Sequence, residues 1–135
     1  MGPVPTQSEI DAESFFAAVG GEPTFRRLVG EFYAGVAQDL ELRAIYPEQD
    51  LAPAADRLAL FLIQYWGGPT TYSTERGHPR LRMRHAPFVV DQAQRERWLR
   101  HMRAALDVVA LPPAYDRMIW DYFTTAATSM LNTDG

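Results

Sequence analysis

The side chains able to do chemistry in this chain are three histidines, thirteen basic residues that are all arginine, and a set of aromatic donors. Two of the histidines and four of the arginines fall in one basic stretch, residues 76–88, with no acid between Glu75 and Asp91. His85 closes a short segment bracketed by Pro79 and Pro87, with Leu81, Met83 and Phe88 as apolar neighbours. A neutral imidazole there could give one nitrogen to a metal ion while its other N–H meets a backbone carbonyl. It could also be a satisfied histidine on a surface turn. His78 and His85 stand seven residues apart, too far to share one tetrahedral metal, and no histidine pair has i+3 or i+4 spacing. A zinc site of helix-borne histidines is therefore not expected. His101 sits among Arg95, Glu96, Arg97, Arg100 and Arg103, and solvation is expected for it.

Tyr33, Tyr46 and Trp98 each join an apolar body to one hydrogen-bond donor, and such a donor needs a partner when buried. Aimed at one small cavity, the three could hold a partly negative ligand; otherwise they are ordinary core residues. Arg80, Arg82 and Arg84 alternate in sequence and do not all share a helical face. They suit either charge-assisted, bidentate bonds to carboxylates or a solvated basic turn. Arg57 lies one turn from Ala54 and one from Phe61, within reach of a pocket rim.

Other chemistries are absent from the sequence. There is no cysteine, so no disulfide, thiolate site or thiol nucleophile. No glycine-rich phosphate loop, nucleophile elbow or paired carboxylates stand out. A net charge of −4 argues against general nucleic-acid binding. The longest apolar run, residues 58–63, is far short of a membrane span. The first residues lack a basic start and an apolar run, so neither a signal peptide nor membrane insertion is expected, and a cytoplasmic location is.

Helical periodicity must position these groups. Ile10, Phe15, Phe16 and Val19 form the inner face of a short first helix ended by Gly20-Gly21. Pro23 opens a second helix running to about Asp39, with Phe25, Leu28, Val29, Phe32, Tyr33 and Val36 on one face. A helical turn over 40–46 stops at Pro47. Pro53 opens a helix with Ala54, Leu58, Phe61, Leu62 and Tyr65 on one side, and Gly67-Gly68-Pro69 ends it. Residues 70–77 read as a loop. Asp91 and Gln94 have capping-box spacing, and the helix they open carries Trp98, Met102, Ala105, Leu106 and Val109 on one face. After Pro112-Pro113 a last helix turns Tyr115, Met118, Ile119, Tyr122, Phe123, Ala126 and Met130 inward. The fold class is all-α, with two helix pairs able to sandwich something between them. At 135 residues it is one domain.

The runs 16–21, 32–33, 46–48, 64–69, 71–73, 77–88 and 98–99 resemble the truncated (2-on-2) haemoglobins, and within them the group II, actinobacterial O-type proteins. The resemblance covers residues 14–132 and implies a globin-like, two-over-two helical sandwich around haem b, with residues 1–13 a flexible leader and 14–135 the globin domain. Carried over, it makes His85 the iron ligand. Tyr33, Tyr46 and Trp98 become the donors on the opposite, ligand-binding side. Ala54 stands where other globins often place a distal histidine. Leu58, Phe61, Leu62, Phe88 and Met102 line the pocket. Arg57 and one or more of Arg80, Arg82 and Arg84 meet the propionates. Thr70 departs from the pattern, since close relatives often carry arginine there.

The function so implied is binding of dioxygen, and of carbon monoxide and nitric oxide, at a five-coordinate iron. The alternative is a haem-dependent redox enzyme, peroxidase-like or oxidising nitric oxide, fed by an external reductase. A homodimer is a further partner expectation.

Overall fold

The computed structural model describes residues 15–46, 49–77 and 91–131. The expected leader and Ile10 of the first helix lie outside them. Among the described residues all regular structure is helical, as expected, and no helix is long and apolar enough to cross a membrane.

A helical turn at 15–18 leads to Gly20 and Gly21, both with positive φ. Helix α1, Glu22–Gln38, then starts with Pro23 in its first turn, where a missing N–H costs nothing. Its buried residues are Phe25, Leu28, Val29, Phe32, Tyr33 and Val36, the stripe expected from the sequence. Asp39 ends it in extended geometry and at once caps α2, Leu40–Arg43, by accepting from the Leu42 N–H at 3.2 Å. α2 is therefore shorter than the 40–46 turn expected, although single turns continue to Tyr46.

Helix α3, Ala52–Tyr65, again has a proline in its first turn and buries Ala54, Ala59, Phe61, Leu62 and Ile63. Tyr65, placed on the same side by the periodicity, is instead 49% exposed. The chain leaves α3 through Gly67, whose φ of 101° disfavours any side chain. Gly68 is required for space: a Cβ there would lie 2.6 Å from Ile63 Cγ2 and 2.7 Å from Phe16 Cε2.

Residues 70–77 are not a loop. They hold the short helix α4, Thr71–Arg76, too brief to show a period in the sequence. Gln64 fixes it to α3, its Oε1 accepting from the Ser73 N–H at 2.9 Å and its Nε2 donating to Ser73 Oγ at 2.7 Å.

Helix α5, Gln92–Val109, is capped as expected by Asp91, which accepts from the Gln94 N–H at 2.9 Å. It ends at Ala110 in the left-handed conformation, a position usually taken by glycine. Helix α6, Pro113–Ser129, buries Ile119 and Phe123. Met118, expected inward, is 41% exposed.

α1 is the central element. It packs on α5 over the largest interface and on α3 over the next, while α5 also packs on α6. The helices thus group as α1 with α3 and α5 with α6, and α1 crosses between the pairs. One continuous buried cluster runs through all of them, and it holds no buried charged or polar side chain among the described residues.

Candidate functional site: an aromatic cluster between α1 and α5

Adjacent positions on α1 point to different neighbours. Phe32, fully buried, meets Trp98 of α5 with ring centroids 4.9 Å apart. Burying a ring that size stabilises the fold by roughly 2–3 kcal/mol and locks the α1–α5 crossing. Tyr33 packs edge-on against Tyr46 at 5.6 Å, and against Phe32 at 5.0 Å. Phe32 therefore lies between the two donors Tyr33 and Trp98. Trp98 is half-buried and backed by Phe123 of α6 at 5.5 Å. Behind it, burial first and the nearby Tyr65 second push the Tyr122 phenol well above its usual range, so Tyr122 stays protonated.

Ala54, Phe61 and Leu62 of α3 and Met102 of α5 belong to the same buried cluster as Tyr33, with Leu58, Tyr46 and Trp98 packed against it. Phe61 is held edge-on by Tyr72 of α4 at 5.7 Å, which ties α4 to this wall. Arg57 is half-buried on α3 beside Leu58. The structure joins Tyr46 to Tyr33, and Tyr33 through Phe32 to Trp98, while Ala54, Leu58, Phe61, Leu62 and Met102 lie in or against the same core. His85, Arg80, Arg82, Arg84 and Phe88 lie outside the described residues, as does His78.

His101 corrects the expectation of a solvated residue. Its side chain is 20% exposed, and Nε2 lies 2.9 Å from Asp39 Oδ2. The same carboxylate accepts from Arg97 Nη1 at 3.2 Å, and Arg97 also reaches Glu41 at 2.8 Å. The His101 bond above all, helped by the Leu42 N–H and the Arg97 charge, holds the Asp39 carboxyl below the ordinary aspartate range against the opposing effect of burial. The charged run around His101 hid this, because the partner lies 62 residues away. Phe32, one core position among six in the sequence, is the ring that links Tyr33 to Trp98.

The chain belongs to the bacterial-like globin family. That family matches residues 14–132. The group 2 truncated hemoglobin YjbI of Bacillus subtilis is 38% identical over 83% of this chain and 84% of its own length. The crystal structure of a thermostable hemoglobin from the actinobacterium Thermobifida fusca is 57% identical, with a TM-score of 0.88, covering 90% of this chain and 98% of that one. A truncated oxygen-avid haemoglobin from Bacillus subtilis is 36% identical, with a TM-score of 0.83, over 87% of this chain and 98% of its own. The likeness to group II truncated haemoglobins drawn from the sequence is borne out, and with it the globin fold. Membership supports haem-based binding of diatomic gases in general.

The residue types gathered here fit such a group on chemical grounds. A porphyrin face needs flat apolar walls, and the aliphatic and aromatic side chains of α3 and α5 are of that type. A small polar ligand needs a few fixed donors, and the Tyr33 and Tyr46 hydroxyls and the Trp98 indole N–H are of that kind. Arg57, half-buried on α3, is a cation of the type that pairs with carboxylates.

Proposed function

We propose that this globin holds haem b through His85 and retains dioxygen, and other diatomics such as carbon monoxide and nitric oxide, by donation from Tyr33, Tyr46 and Trp98. The observation that carries the reading is the aromatic cluster itself: Tyr46 on Tyr33, Tyr33 on Phe32, and Phe32 on Trp98. When bound, the haem supplies an iron that takes up the gas. The chain supplies the rest. His85 would hold the iron, and Arg57 with one or more of Arg80, Arg82 and Arg84 would pair with the propionates. Leu58, Phe61, Leu62, Phe88 and Met102 would enclose the ring and keep water from it. Ala54 leaves room where a larger side chain would intrude. The oxygen-avid relative described above supports retention of dioxygen in particular.

Rings held by edge-on packing keep their donors in place before the ligand arrives, so little ordering is needed on binding. Each donor to a partly negative ligand is worth roughly a tenfold change in release rate. Stopped-flow dissociation of dioxygen tests this: Tyr33→Phe and Trp98→Phe should each release it roughly tenfold faster. Unchanged rates in both would remove the donor network. Loss of the Soret band in His85→Ala ties the haem to that residue. Sustained turnover with hydrogen peroxide, or with nitric oxide and a reductant, would reassign the protein to redox catalysis with an external reductase.

A further inference from the structure

One carboxylate joins α5, which carries Trp98, to α2, the turn that leads into Tyr46. Asp39 has three partners: the Leu42 N–H at the start of α2, and Arg97 and His101 on α5. An ionised carboxylate only accepts, so the His101 Nε2 carries the hydrogen in this bond. His101 can reach Asp39 because it lies flat on α1 at Gly35, where a Cβ would come within 2.6 Å of Nδ1. Arg97 makes the attachment double, since it also pairs with Glu41 of α2. α2 is a single turn, and one turn is too short to hold its own place. Its position is set by buried Leu42 and by these bonds to α5. Tyr46 follows three residues later, tied back to α2 by its N–H to the Arg43 carbonyl at 3.1 Å and by Arg43 Nη1 donating to its own carbonyl at 3.0 Å.

We propose that Asp39 is a positioning residue for the pocket: gripped by His101 and Arg97, it fixes α2 against α5 and so holds the Tyr46 ring on Tyr33, which sets how long a ligand stays. The inference rests on the donor role given to Tyr46 above. It adds a residue whose carboxylate sits in a polar joint with Arg97 and His101, and it couples the placement of Tyr46 to the helix that carries Trp98.

The test uses the haem-loaded chain. Asp39→Ser keeps a good helix cap but is too short to reach α5. His101→Leu leaves the cap and Arg97 in place and removes only one grip. Dioxygen release is followed by stopped flow, and the C–O stretching band of the carbonyl complex by infrared spectroscopy, which reports the polarity met by the ligand. Asp39→Ser should release dioxygen about three- to tenfold faster, the worth of one weakened hydrogen bond. Its band should move in the direction that Tyr46→Phe moves it, and His101→Leu should do the same to a smaller extent. Combined with Tyr46→Phe, Asp39→Ser should add no further change. Native rates and bands in both joint variants, or effects that add in full to those of Tyr46→Phe, overturn the positioning role. If Tyr46→Phe itself changes nothing while Tyr33→Phe does, the donor reading of Tyr46 is what fails, and this inference falls with it.

Discussion

Replacing Gly35 by alanine isolates the joint between α1 and α5. Gly35 lies inside α1, where alanine is favoured over glycine by about 0.8–1 kcal/mol. The new Cβ would stand 2.6 Å from His101 Nδ1 and 3.3 Å from its Cγ. Ordinary contact begins near ~3.5 Å, so the ring must retreat by about 0.9 Å. It cannot do so and keep its 2.9 Å bond to Asp39. Losing that bond leaves a largely buried carboxylate short of a donor, at a cost of about 1–3 kcal/mol. The cost matches or exceeds the propensity gain, and Gly35→Ala should be less stable by up to about 2 kcal/mol. Gly30 is the internal control. It lies in the same helix, where an added Cβ would meet nothing within 4 Å, and Gly30→Ala should gain about 0.5–1 kcal/mol. Urea unfolding of the haem-loaded chains measures both. Opposite signs are expected, and Gly35→Ala combined with His101→Ala should recover part of the loss. Equal stabilisation at the two glycines would refute the close seat of His101.

Three further outcomes follow from the same geometry. Asp39 titrates below the ordinary aspartate value, so its contribution is full above a pH of about 3.9 and is lost as pH falls through the lower folded value. Acid unfolding should therefore be shallower in Asp39→Ser than in the native chain; parallel curves would contradict this. Arg103 grips Asp116 at 2.6 Å and Asp107 at 3.0 Å while lying over the Trp120 ring at 5.0 Å, so Arg103→Lys, which loses fork and stacking together, should cost about 0.5–1.5 kcal/mol by urea unfolding. Gly68→Ala must push on both Ile63 and Phe16, and a loss of about 1–3 kcal/mol is expected in the same assay; no loss would mean that this corner yields freely.

The long helices were legible because their apolar stripes repeat over several turns. Phe25 to Val36 on α1 and Met102, Ala105 and Leu106 on α5 are buried as the spacing requires, whereas Trp98 and Val109 are only half-buried and Leu99, not expected inward, is buried. Starts and stops were legible too: Pro23, Pro53 and Asp91 act locally, within one turn of themselves. What escaped depends on partners far along the chain. His101 looked solvated because its neighbours in sequence are charged, and only the fold brings Asp39 to it. α4 has no period of its own and depends on Gln64. Met118 has the spacing of an inward residue, but its flank of α6 is left to solvent while Tyr115 and Tyr122 turn to Phe15 and to Tyr65 and Trp66. At the candidate site, the aromatic types were readable, whereas the place of Phe32 as the link between Tyr33 and Trp98 appears only once α1 crosses α5.

The Gln64–Ser73 lock has a bearing on how the chain folds. It joins residues nine apart, whereas the Asp39–His101 joint spans 62. Closure entropy rises with the logarithm of loop length, so the shorter ring is less costly by roughly 1.7 kcal/mol before any other contact forms. The α3–α4 corner can therefore close early at low entropic cost. The α1–α5 crossing must wait for a long-range encounter. Mutations at Gln64 should therefore alter the refolding rate, while those at His101 should act mainly on unfolding.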